Sequence, residues 1–223
     1  MPEALMVGAS RGLGLGLAQE FRRRGWNVTG TVRDPADGPA LEAAGARVER
    51  LDVTDEAQAD ALAQAMAGRA LDLLFLNAGV MGPPDLRAAD ADAIDAVMQA
   101  NAFGPAKLAL KLLDRVKRDT GVIAFMSTGM GSIADNTSGG FEVYRASKAA
   151  QNMLARSLWV KQAKPRGVTV LSVNPGWVKT DMGGAGASID VDTSVRGIAD
   201  QVERRAGAGE HAFVGWNGQT LAW

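Results

Sequence analysis

The sequence contains no cysteine and a single histidine, His211, among its 223 residues. A disulfide framework and a thiolate metal site are therefore excluded, and one imidazole cannot make a histidine metal cluster. Excess charge is lacking too: 24 Lys and Arg stand against 25 Asp and Glu, with a pI near 5.9. Such a balance gives no footprint for nucleic acid or an anionic membrane. No run approaches the roughly 20 apolar residues of a membrane span. Met1-Pro2-Glu3 leads into an apolar run with no basic leader. The expectation is a cytoplasmic protein of one well-buried domain, residues 1–223.

Glycine is abundant, at 27 residues, and several glycines follow expected strands, where backbone can approach a ligand. The run Ala4–Val7 reads as a strand buried on both faces. It meets Gly8-Ala9-Ser10-Arg11-Gly12-Leu13-Gly14 and then a helical pattern from Leu15 to Arg24. Strand, glycine turn and helix are the setting of a dinucleotide site, with pyrophosphate at the positive end of the helix. The spacing is G-x-x-x-G-x-G instead of the commoner G-x-G-x-x-G. The same residues spell G-x-S-x-G, a hydrolase elbow. That reading fails because one strand alone precedes Ser10 and the sole partner imidazole, His211, lies near the C-terminal end.

A second strand, Asn27–Val32, ends at Arg33-Asp34-Pro35. An acid at this place holds the ribose 2′-hydroxyl of NAD, whereas an Arg accommodates a 2′-phosphate. Val32 fills the acidic position and Arg33 follows, with Arg11 as a second cation, which favours NADP(H) over NAD(H). Asp34 would restore an NAD-type acid if the strand ended two residues later. Further strands are expected at Arg47–Leu51, Leu71–Leu76, Gly121–Met126, Val168–Val173 and Ala212–Val214. Helices are expected at Ala57–Met66, Asp92–Arg118, from about Gly140 to Ala163, and at Thr193–Ala206. Asp52 at the third strand end either caps the next helix, as Thr54 or Asp55 could, or meets an adenine amino group. Asn77-Ala78-Gly79 permits close packing on a ligand. Asn101 sits mid-helix before Gly104-Pro105, consistent with a functional kink or a harmless irregularity. Asp90, Asp92 and Asp95 lack the glycine and terminal Glu of a calcium loop and read as a helix N-terminus. The alternation specifies an α/β fold: a Rossmann-type, doubly wound parallel sheet of about seven strands in three α/β/α layers.

Tyr144, the only tyrosine, lies four residues before Lys148, so the two share a helix face. A phenol ordinarily ionises near pH 10, and a fixed cation nearby would lower that value. The pair suits proton transfer in carbonyl–alcohol chemistry.

Taken together, Gly8/Gly12/Gly14, Asn77-Ala78-Gly79, Asn101, Ser127-Thr128, Tyr144/Lys148 and Pro175-Gly176 with Thr180 resemble the short-chain dehydrogenase/reductase family over nearly the whole chain. Gly131-Ser132-Ile133, Asn136-Thr137, Gly139-Gly140 and Tyr144–Lys148 look like its sniffer and C-factor type of carbonyl reductase. The resemblance implies reduction of a ketone or aldehyde, with hydride from NADPH and a proton from Tyr144. It implies that Lys148 lowers the phenol's pKa and holds the nicotinamide ribose, and that Asn101 supports a proton relay. Asn77, Ala78 and Gly79 would line the adenosine ribose, Asp52 and Val53 the adenine, and Val178 and Thr180 the carboxamide beside Pro175-Gly176. Two departures stand out. Leu76 replaces a family Asn at an inward position. The substrate-orienting Ser falls on Thr128, with Ser127 one residue earlier on the opposite face.

Met130, Phe141, Trp177 and Met182 are candidates for an apolar substrate wall, and Gly183–Ala187 for a closing lid. The rival readings are an NAD-dependent alcohol dehydrogenase of the same fold and a non-catalytic nucleotide-binding or signalling protein. A small-molecule carbonyl or alcohol is the expected partner. Pairing through the long helices would make a homo-oligomer, though a chain this short could stay monomeric.

Overall fold

A computed structural model describes all 223 residues. Seven strands form one parallel sheet: β1 (Glu3–Val7), β2 (Asn27–Val32), β3 (Arg47–Arg50), β4 (Leu73–Leu76), β5 (Val122–Met126), β6 (Thr169–Asn174) and β7 (His211–Gly215). Their order is β3-β2-β1-β4-β5-β6-β7, with Ala4 opposite Val28 on one side and Leu73 on the other. The order reverses between β1 and β4, and ligands of such sheets bind at that switch point, outside the carboxyl ends of the strands.

The strands are apolar throughout because both faces are covered. Ala4 and Met6 belong to one core with Leu17 and Phe21 of α1 (Gly12–Arg23) and Ile198 and Val202 of α7 (Val191–Arg205). Leu5 and Val7 belong to the other, with Leu62 of α3 (Glu56–Ala65), Leu108 and Leu112 of α5 (Gly104–Leu112) and Leu158 of α6 (Glu142–Leu158). Alternate residues of one strand thus feed opposite layers. The short helix α2 (Pro39–Ala43), unmarked by any periodicity, inserts Leu41 into the first core. Asp90 caps α4 (Ala91–Met98), accepting from the Ala93 N–H at 2.8 Å.

The helix expected over Asp92–Arg118 is interrupted. A π-turn, Gln99–Phe103, joins α4 to α5, and the last helical turn ends at Arg115. Pro105 has no N–H, so the Asn101 carbonyl lacks its i+4 donor and the helix widens there. Beyond Arg115, Leu71 donates to the Arg115 carbonyl and Lys117 to that of Leu71, which pairs Val116 with Leu71 in a bridge. Leu71 is therefore an isolated bridge and β4 begins at Leu73.

Candidate active site

The turn after β1 is built for close approach. Gly8 has φ +80°, and a Cβ there would come within 2.9 Å of the Ala78 backbone. A Cβ on Gly14 would overlap the Gly8 carbonyl oxygen and lie 2.6 Å from the Asn77 side-chain amide. That amide donates to the same Gly8 oxygen at 2.6 Å, locking the ends of β1 and β4 together. No side chain caps α1, and Leu15 is the first residue there whose N–H reaches a backbone carbonyl, that of Arg11. The preceding first-turn N–H groups, in the segment holding Gly12, Leu13 and Gly14, are the orphan donors that suit an anion. Ser10 is half-buried beside them. Opposite, the Thr180 methyl lies 3.6 Å from where a Gly12 Cβ would be, and Arg11 pairs with Asp181.

At the end of β2, Val32 is the last strand residue and Arg33 is exposed without an ion-pair partner. Asp34 lies outside the strand, its carboxylate accepting from the Ala36 N–H at 2.9 Å. Asp55, not Asp52, caps α3. Asp52 instead accepts from both the N–H and the hydroxyl of Thr54, at the edge of the crevice beside half-buried Val53.

The inward face of α6 carries Tyr144, Ser147, Lys148, Gln151 and Asn152, all buried. Polar residues at helical i, i+3, i+4, i+7 and i+8 positions normally face water; here Ser147, Lys148, Gln151 and Asn152 each make a side-chain hydrogen bond inside, and the Tyr144 hydroxyl has no partner in the protein. The Ser147 hydroxyl donates to the Tyr144 carbonyl at 2.7 Å and accepts from Asn101 Nδ2 at 2.9 Å. Asn101 also accepts from the Val80 N–H at 2.7 Å and donates to the Val80 carbonyl at 2.8 Å. Lys148 Nζ donates to the Met126 carbonyl at 2.7 Å and to Gln151 Oε1 at 3.3 Å. A Cβ on Gly79 would lie 3.1 Å from Asn101 Oδ1 and 3.5 Å from Lys148 Nζ, so the end of β4, the π-turn and α6 converge on one point. Ser147, Gln151 and Asn152 were not singled out in the sequence. Their signal is the polar stripe itself, continued at helical spacing beyond Tyr144 and Lys148.

Ser127 and Thr128 divide as strand neighbours must. Ser127 is buried and its hydroxyl donates to Asn152 Oδ1 at 2.8 Å. Thr128 is half-buried, and its hydroxyl accepts from the Met130 N–H at 3.2 Å, leaving its own proton free.

Burial governs the ionisations. It pushes the Tyr144 phenol up to about 12 and the Lys148 ammonium down to about 7. The expected lowering of the phenol by Lys148 is absent from the protein alone. The ammonium points at Met126 and Gln151, 6.0 Å from the phenol ring centroid, and desolvation outweighs its pull.

Around the rim, Pro175 and Val178 are buried, and Gly176 has φ +81°. The run Gly183–Ala187, the candidate for a closing lid, forms a turn in which the Gly183 N–H donates to the Thr180 hydroxyl and the Gly184 N–H to its carbonyl, with Ala187 buried. Trp177, Met182 and Phe141 are exposed and Met130 half-buried, so none of the four belongs to the core.

The family model described as short chain dehydrogenase matches residues 3–188. The chain belongs to the short-chain dehydrogenase family of oxidoreductases. Within that family it is similar to a carbonyl reductase from Pseudomonas aeruginosa PAO1 in complex with NADP, at 38% identity and a TM-score of 0.91 with all of both chains covered. It is also similar to the carbonyl reductase Sniffer of D. melanogaster, at 30% identity and a TM-score of 0.89, again with full coverage of both. The C-signal protein of Myxococcus xanthus is 35% identical over 158 residues, 69% of this chain and 93% of that protein. These likenesses agree with the sniffer and C-factor type read from the sequence. No helix of this short-chain dehydrogenase is long and apolar enough to cross a membrane.

Proposed function

We propose that this short-chain dehydrogenase reduces a ketone or aldehyde to the alcohol with NADPH, and that one domain spanning residues 1–223 carries both the cofactor and the substrate site. The observation that carries the reading is the neutral, buried phenol of Tyr144 beside Lys148, at the carboxyl end of a sheet whose first turn is shaped for a dinucleotide. NADPH supplies hydride when bound. The uncapped start of α1 and the glycines whose Cβ atoms would collide fit its pyrophosphate. Arg33, unpaired at the strand end, favours the 2′-phosphate, and Asp34 is occupied in capping its own turn; Arg11 would join it only by leaving Asp181. The related carbonyl reductase solved with NADP supports the same choice. Asp52 and Val53 edge the adenine, Asn77, Ala78 and Gly79 the adenosine ribose, and Pro175, Gly176, Val178 and Thr180 the nicotinamide end.

Tyr144 gives its proton to the carbonyl oxygen. It is protonated at neutral pH, as a donor must be, whereas alcohol oxidation requires the phenolate; burial, which raises its pKa to about 12 in the protein alone, makes it a weaker acid and not a better donor. Thr128 holds the carbonyl through its free hydroxyl proton. Lys148 binds the nicotinamide ribose, and Asn101, fixed through Val80 and Ser147, supports proton resupply.

Following NADPH absorbance with a panel of aldehydes and ketones tests the reading. Turnover should be faster with NADPH than with NADH, and Tyr144→Phe should remove about 100-fold or more of it while nucleotide binding persists. Better use of NADH would turn the assignment towards an NAD-dependent dehydrogenase. Full activity in Tyr144→Phe would overturn the mechanism, and a protein that binds NADPH yet turns over no carbonyl would favour the non-catalytic reading.

A further inference from the structure

Gln151 has no part in the chemistry proposed above, yet it is fully buried where the site meets the core. It shares a face of α6 with Ala155 and Leu158, at i, i+4 and i+7, and those two belong to the apolar core on that side of the sheet. An apolar side chain at 151 would extend that core. An amide is costly to bury unless it is hydrogen-bonded. Here Nε2 has no acceptor, and the one bond the side chain makes is that which Oε1 accepts from Lys148 Nζ, at 3.3 Å.

Lys148 is itself buried, and burial disfavours an ammonium. The ammonium has three N–H groups to place. The Met126 carbonyl takes one at 2.7 Å and Gln151 takes a second, which leaves one for a ligand. The groups brought to this point by the neighbouring elements carry no charge: Gly79 after β4, Asn101 in the π-turn, the Met126 carbonyl of β5 and Gly131 beyond it. Tyr144, on the same helix, is the titratable neighbour. With no carboxylate to hold the charge, neutral acceptors must do so, because a hydrogen bond to the charged form favours that form.

We propose that Gln151 is a positioning residue for Lys148: its amide oxygen, with the Met126 carbonyl, fixes the ammonium in place and in its charged form at the cofactor crevice. The consequence for catalysis rests on the reductase reading; the hold on Lys148 does not. Two measurements keep them apart. In the first, lysines isotope-labelled at Cε are followed by NMR against pH in the protein without nucleotide. One resonance, absent in Lys148→Met, should titrate well below those of the exposed lysines. In Gln151→Leu its midpoint should fall by about one pH unit, the scale of a hydrogen bond to a charged group. The Tm should hold or rise, since a buried nitrogen without an acceptor is removed. Gln151→Met, unbranched, gives the same reading if Gln151→Leu does not fold. Gln151→Glu keeps an acceptor oxygen at the same reach, and its midpoint should stay at or above the wild-type one. An unmoved midpoint in the apolar variants, or one as low in Gln151→Glu as in Gln151→Leu, would overturn the proposal whatever the Tm values. In the second, kcat/KM for NADPH is measured against pH with a ketone that the wild type reduces. The alkaline limb should move down with the Lys148 midpoint in Gln151→Leu and return in Gln151→Glu. A midpoint that moves in a protein that reduces no carbonyl would support the hold on Lys148 and sink the reductase reading. Carbonyl reduction with both midpoint and limb unmoved in Gln151→Leu would sink the proposal and leave the reductase reading standing.

Discussion

The hydroxyl of Ser127 gives its proton to Asn152, whereas that of Thr128 only accepts and keeps its proton available. Loss of a positioned donor to a reacting oxygen costs on the order of 10²-fold in turnover, so Thr128→Ala should lower kcat by about that factor. Ser127→Ala removes a buried bond instead and should cost about 1 kcal/mol of stability with kcat retained. Steady-state kinetics beside denaturant unfolding would separate the two, and the opposite pattern would move the substrate-orienting role to Ser127. The identity of Tyr144, Lys148 and Asn101 as a group was legible in their spacing and in the family pattern. Their ionisation was not, because it depends on how completely α6 is covered, and coverage comes from residues distant in sequence. Ser147 and Gln151 escaped notice for a related reason: a polar residue on a helix reads as solvated until the neighbouring helix is known.

Among the elements, the strands were the most legible, since β1, β4, β5 and β6 are apolar runs that only a sheet covered on both faces requires. The glycine turn was equally plain. Two features escaped the sequence: α2, which shows no periodicity, and the bridge that stops the helix after Arg115, which depends on backbone groups that no residue type announces. Gly14 is the tightest point where the glycine turn meets α1. Gly14→Ala would force its methyl into the Gly8 carbonyl and the Asn77 amide. We expect NADPH binding to fall at least tenfold, read by fluorescence titration, with a stability loss of about 1–3 kcal/mol of the kind overpacking produces. Wild-type affinity in that variant would show that the turn does not hold the dinucleotide.

Across the whole molecule, acid stability is set in part by His211, far along the chain from the proposed chemistry. Its ring lies 4.6 Å from that of Trp223 and 6.2 Å from that of Trp159, with neither nitrogen hydrogen-bonded. Burial, helped by Arg156, holds its pKa down at about 4, below the roughly 6.5 of an unfolded chain. Between those values the unfolded chain binds the extra proton, so His211 costs nothing above about pH 6.5 and erodes stability as the pH falls towards 4. His211→Phe should therefore lose less Tm than the wild type between pH 7 and pH 4, and parallel curves would contradict this. Burial holds the Lys148 ammonium down at about 7, which has a consequence for ligand binding. A nucleotide anion settling beside it would draw its pKa upward, so association should take up protons from the medium near neutrality. Calorimetry in two buffers of different ionisation heat would register that uptake as a difference in apparent enthalpy, and the difference should vanish in Lys148→Met.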